Sequence, residues 1–106
     1  MDRSNVIKLI KEEFTSDEIR FEEAIGQDIV TEIPREVYCD IQSVSGTEWF
    51  NGSKNGMNPQ YKVTMFKYDY EGELIAEYNN VRYSVYRTYE TRDDIIEIYL
   101  EKKAGV

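Results

Sequence analysis

Glu77-Tyr78-Asn79-Asn80-Val81-Arg82-Tyr83-Ser84-Val85-Tyr86-Arg87-Thr88-Tyr89, with Asp94-Ile95-Ile96-Glu97-Ile98-Tyr99-Leu100-Glu101 after it, is the stretch whose reading decides the fold. Apolar residues alternate over Val81, Tyr83 and Val85 and again over Ile96, Ile98 and Leu100, the two-residue period of a strand with one buried face. Asn79-Asn80 supplies two residues tolerant of positive φ, which suits a tight hairpin, and Thr91-Arg92-Asp93-Asp94 supplies another turn.

Working upstream, Tyr61, Val63 and Met65 alternate in the same way, and Tyr70-Glu71-Gly72-Glu73 offers a turn. The pattern predicts four consecutive antiparallel segments, at about Tyr61–Tyr70, Glu73–Tyr78, Val81–Thr88 and Ile95–Glu101, forming a C-terminal meander. Glu36–Ser43 alternates Val37, Cys39 and Ile41 against polar neighbours and reads as a further strand, with Pro34 near its start or on an edge. Asn5–Phe14 fits two templates, a helical face through Val6, Leu9 and Ile10 or a short β run. Thr15–Ile29 is acidic and weakly patterned, and a mobile excursion or an irregular hairpin arm is expected there.

Ser45–Gln60 breaks the series, because Gly46, Gly52, Gly56 and Pro59 frame Glu48, Trp49, Phe50 and Met57. A short helix through Trp49 and Phe50 is expected, capped by Ser45 or Thr47 and ended by Gly52 or Gly56. The 106 residues suffice for one core, so one domain spanning 1–106 is expected.

Charge and composition narrow the function. The net charge is −8, and residues 1–53 carry 12 acidic and 5 basic side chains, so the negative charge is concentrated in the N-terminal half. Such a surface repels phosphate backbones, which argues against sequence-independent DNA binding. The chain has no histidine, so hydrolase arrangements built on an imidazole base or a zinc–histidine site lose their central part. Cys39 is the one cysteine; it forms no intramolecular disulfide, and a small buried residue in a reducing compartment is expected. No apolar run is long enough to span a bilayer, and the N-terminus carries no secretory pattern, so neither membrane anchoring nor secretion is expected.

No catalytic signature emerges. Glu97 sits between isoleucines on what reads as a solvated strand face, and Asp93-Asp94 reads as a turn. Gly52 and Gly56 lack the Lys-Ser/Thr of a phosphate-cradling loop, and Asn51-Gly52-Ser53 matches a glycosylation pattern that is irrelevant without secretion. Arg82 and Arg87 among Tyr83, Tyr86 and Tyr89 suit a base-stacking surface; cation–π and cross-strand pairing is the competing account, favoured by the acidic net charge.

The C-terminal stretch quoted above, with its closing Lys103-Ala104-Gly105-Val106, resembles the ending of phage head-tail adaptor (head-closure) proteins. So do Arg35-Glu36-Val37-Tyr38-Cys39-Asp40-Ile41-Gln42-Ser43-Val44, Glu48-Trp49-Phe50 and Gly56-Met57-Asn58-Pro59. The resemblance spans most of the chain from about Asn5 and is weakest over Thr15–Ile33. It implies a small antiparallel β-barrel with one short helix in an insertion after the second conserved strand, and it favours a strand for the first segment. By the same resemblance the protein is a non-catalytic virion component without cofactor or metal. It joins as a ring below the portal or portal-adaptor protein after DNA packaging and docks a tail-completion protein. Packaged DNA is touched at most passively, and assembly takes place in the host cytoplasm. Glu48, Trp49, Phe50, Lys54 and Met57 in the insertion are then the candidate subunit or channel contacts. The alternative is a small β-barrel binding module for nucleic acid or peptide.

Overall fold

The structure, a computed structural model, describes residues 3–16 and 28–102, with side chains placed for 3–13 and 31–102. Six strands, β1 (Asn5–Ser16), β2 (Asp28–Ser43), β3 (Pro59–Phe66), β4 (Ile75–Tyr78), β5 (Val81–Glu90) and β6 (Ile95–Glu101), close into an antiparallel barrel in the order β1-β2-β3-β6-β5-β4. One helix, α1 (Gly46–Lys54), lies between β2 and β3. The mainly β barrel with its inserted helix is the architecture expected from the sequence.

Alternation decides which side chains fill the barrel. Ile7, Leu9, Cys39, Val63, Met65, Ile98 and Leu100 are fully buried inside it, and Val37, Ala76, Tyr83 and Ile96 complete the core. Closure leaves no sheet edge around the central girdle, so the ladder groups there are paired. One mouth is filled by tyrosines: Tyr61 meets Tyr78 and Tyr83 edge-on, with ring centroids 5.7 and 5.5 Å apart. Their quadrupoles favour this T-shaped contact, which adds about 0.5–1.5 kcal/mol per pair beyond burial.

The first segment is a strand. Ile7 and Leu9 point inward, while Ile10 falls on the outward row and is buried there between its ladder partners Pro34 and Ile75. The helix-like spacing thus reflects two apolar surfaces, one on each face. β2 begins before the expected Glu36, and Pro34 lies within it; β2 meets β3 only over Asp40–Ser43, so Pro34 faces an edge that needs no donor. Beyond Ile10 and Pro34, β1 and β2 run on as a two-stranded arm to the pair Ser16↔Asp28. The centre of the expected excursion, 17–27, lies outside the described residues.

The expected four-strand meander is corrected to three strands, β4-β5-β6. The segment at Tyr61 pairs with β6 and β2, not with β4, and its strand ends at Phe66 in a short 3₁₀ turn over Lys67–Asp69. β3 and β4 stand three strands apart whichever way the barrel is traversed, so residues 67–74 cross the second mouth instead of closing a hairpin. That crossing explains why Glu73 is only 5% exposed. Its carboxylate accepts from Arg35 (2.8 Å) and from the Glu71 backbone N–H (2.8 Å), and Tyr70 donates to the Glu73 carbonyl (2.6 Å). Burial alone would raise the Glu73 pKa, but Arg35 and the backbone donors outweigh it and hold the carboxyl below its ordinary value.

The two tight turns fall where expected. Asn79 (φ 52°) and Asn80 (φ 64°) join β4 to β5, and Asp93 (φ 67°) and Asp94 (φ 59°) help join β5 to β6. Asn and Asp tolerate this left-handed region because their short polar side chains hydrogen-bond locally.

Candidate functional site

Helix α1 starts as its sequence dictates. Ser45 is the N-cap and accepts from the Glu48 N–H at 3.1 Å, Glu48 places negative charge in the first turn, and Lys54 places positive charge in the last. Gly52 does not end the helix. The chain leaves it at Asn55, followed by Gly56 at φ +77°. Gly52 has another role: a Cβ there would sit 2.4 Å from Cγ of Pro59, so its bareness lets the helix end lie directly on the start of β3. The Met57 N–H donates to the Gly52 carbonyl at 2.9 Å and pins the return into the barrel.

None of the helix residues is buried. What holds its first turn is Glu48, whose Oε1 accepts from the Tyr86 hydroxyl and from Arg87, both at 2.8 Å. Tyr86 sits at the β-bulge between Val85 and Arg87, and the extra residue turns its side chain outward to the helix. Arg87 also stacks on Tyr99 at 3.9 Å, and the Tyr99 hydroxyl donates to Glu97 at 2.8 Å. Burial pushes the Glu48 carboxyl upward, but the bonds from Arg87 and Tyr86 together hold it below its ordinary range. Burial, aided by Glu48, raises the Tyr86 hydroxyl.

With Glu48 facing the barrel, the helical rotation of 100° per residue turns Phe50 about 200° away from it, toward solvent. Phe50 is 54% and Trp49 50% exposed, and the Lys54 ammonium lies over the Phe50 ring at 4.7 Å. Met57 is half-buried at the return. The five candidate contact residues therefore divide: Glu48 fastens the insertion to the barrel, Met57 sits at its return, and Trp49, Phe50 and Lys54 form its outward face.

The second arginine singled out by sequence does the same for the arm. Arg82 donates both terminal nitrogens to the Glu32 carboxylate, at 2.6 and 2.7 Å. β4 and β1 lie between β5 and β2 on that side of the barrel, so the ribbon curls back over the outer wall to make this pair. Arg82 lowers the Glu32 carboxyl through the hydrogen bond and its charge. β5 thus carries two clasps, one for each projecting element. Of the residues in the base-stacking reading, Tyr83 points into the core, Tyr89 is exposed, and the half-exposed guanidiniums of Arg82 and Arg87 are each paired with a carboxylate.

Sequence reasoning missed the clasps because their partners lie 50 and 39 positions away. The visible signal was two arginines on outward strand positions of an acidic chain. Cys39 is buried as expected, and burial pushes its thiol up to about 12. Glu97 lies on the outer face within 3.9 Å of Lys62. Among the described residues, no group of three or more cysteine or carboxylate side chains is placed to hold a metal ion, and no helix is long and apolar enough to cross a membrane. No family model matches the chain, and no curated protein shows significant similarity to it.

Proposed function

We propose that this chain is a non-catalytic structural component of a tailed-phage head-tail connector. In this reading it forms a ring below the portal or its adaptor, helps close the packaged head and offers a docking face to the tail-completion protein. The observation that carries the reading is helix α1. It buries none of its residues, is fastened to a rigid barrel by Glu48, and turns Phe50, Trp49 and Lys54 outward. Exposed aromatics on a fixed support are the features of an interface anchor.

The barrel supports the same reading, since its interior is filled by side chains and its chemistry lies in what it displays. The net charge of −8 lets packaged DNA pass without being gripped. Arg82 and Arg87, the guanidiniums a nucleic-acid module would use beside the tyrosines of β5, are each paired with a carboxylate, which favours the connector reading over that one.

Co-sedimentation of the purified protein with portal–adaptor complexes of the same virus tests the proposal. Binding that saturates with protein concentration, and that Trp49→Ala abolishes while leaving the monomer folded, supports it. Absence of binding, with steeply salt-dependent nucleic-acid binding instead, rejects it.

A further inference from the structure

β2 outruns the strand beside it. The Val44 N–H donates to the Gln60 carbonyl at 3.2 Å, so the even-numbered residues of β2 turn their main-chain groups toward β3 and the odd-numbered ones toward β1. β3 keeps pace only as far as the pair Asp40↔Thr64. Past Phe66 its chain turns off into the 3₁₀ turn, where the Lys67 N–H donates to the Asp94 carbonyl at 2.9 Å. Among the described residues, the N–H and C=O groups that Glu36 and Tyr38 turn to this side meet no partner. Pro34, the next residue of the same row, brings no N–H at all.

A cavity of about 420 Å³ opens along these groups, lined by Arg3, Arg35, Glu36, Val37, Tyr38 and Asp69. Arg35 donates to the Asp69 carbonyl and so ties the far wall to β2. At the outer rim Tyr38 is 68% and Phe66 38% exposed, with the Arg3 guanidinium 3.7 Å over the Phe66 ring. Donor–acceptor pairs two residues apart on an extended strand are the complement of another extended backbone. We infer that this slot takes an extended segment of a different polypeptide, laid antiparallel to β2 as an added strand, with an apolar side chain beside Tyr38 and Phe66. The far wall decides against a second copy of this chain. With Asp69 closing that side, the slot takes one strand without a neighbour, and every described strand of this chain already carries a neighbour. The inference goes beyond the connector reading and does not depend on it, because it uses only main-chain groups and the cavity beside them.

A random dodecapeptide display library, selected on the wild-type protein and counter-selected on Tyr38→Pro, tests it. The substitution removes one donor of the slot and no hydrogen bond of the barrel, and Val37 before it is already extended, as a residue preceding proline must be. Enriched peptides, resynthesised, are expected to bind the Tyr38→Pro variant about tenfold more weakly than wild type and to shift the Glu36 and Tyr38 amide resonances. N-methylation of one alternate set of the peptide's residues should weaken binding about tenfold, while the other set leaves it within about twofold, a check that needs no protein variant. Failure to enrich any peptide over the Tyr38→Pro protein overturns the proposal, as does binding blind to the N-methylation pattern or shifts confined to α1. Concentration-dependent shifts of the same two amides without peptide would name a second copy as the occupant and overturn it too.

Discussion

Arg87 on β5 donates to Oε1 of Glu48 on α1 at 2.8 Å across 39 residues of sequence, and it stacks on Tyr99 at 3.9 Å. This guanidinium couples an otherwise superficial helix to the barrel wall. Arg87→Ala is expected to free the first turn of α1 while leaving the core intact. Because the pair is partly exposed, global stability should fall by only about 0.5–1 kcal/mol. Limited proteolysis between Val44 and Pro59 should accelerate, and Trp49 fluorescence should shift.

The same clasp has a pH signature. Glu48 in the folded protein titrates below its ordinary value of 4.5, so its contribution is complete above that value and disappears as pH falls through the lowered one. Amide protection factors in α1, taken relative to the intrinsic exchange rate at each pH, should stay constant from pH 7 to about pH 5 and fall in the acid range ahead of those of the barrel strands. Glu48→Gln should remove this pH dependence.

Glu73 gives a larger acid effect, because its carboxylate is buried under the segment that crosses the barrel mouth. Arg35→Ala leaves that carboxylate without its cation and is expected to cost about 2 kcal/mol, less than a fully buried pair because Arg35 is one-third exposed. Glu73 is held below its ordinary pKa by Arg35 and backbone donors, so its stabilisation is present above 4.5 and lost as pH falls. The acid unfolding midpoint of Arg35→Ala should therefore move to higher pH.

At Gly52 two effects compete. Alanine would gain about 1 kcal/mol in helix propensity, but its Cβ would meet Pro59 Cγ at 2.4 Å. The overlap is with a ring on the first residue of β3, so relief requires the helix end to move, at about 1–3 kcal/mol. Gly52→Ala should be destabilising in urea unfolding despite the better helix former; a stabilised variant would show that the helix end slides freely.

How far the sequence carries the fold can be argued from single residues. Val81, Tyr83 and Val85, the Asn79-Asn80 turn and a helix cap at Ser45 or Thr47 were legible because each depends on neighbours within a few positions. The partner of β3 was not legible, since Tyr61, Val63 and Met65 present the same alternation to any strand, and Gly72 suits a loop across a mouth as well as a hairpin turn. At the candidate site, Trp49 and Phe50 stood out as aromatics in a glycine-rich insertion. The roles of Arg82 and Arg87 stayed hidden, because alternation says that a side chain points outward and nothing about which carboxylate will come to meet it.

Electron microscopy of tailed-phage portal–adaptor complexes, imaged with and without the purified protein, tests the proposed connector role most directly. The account predicts an added ring of barrels below the portal adaptor when the protein is present. Complexes that look the same with and without a saturating excess of folded protein would contradict it.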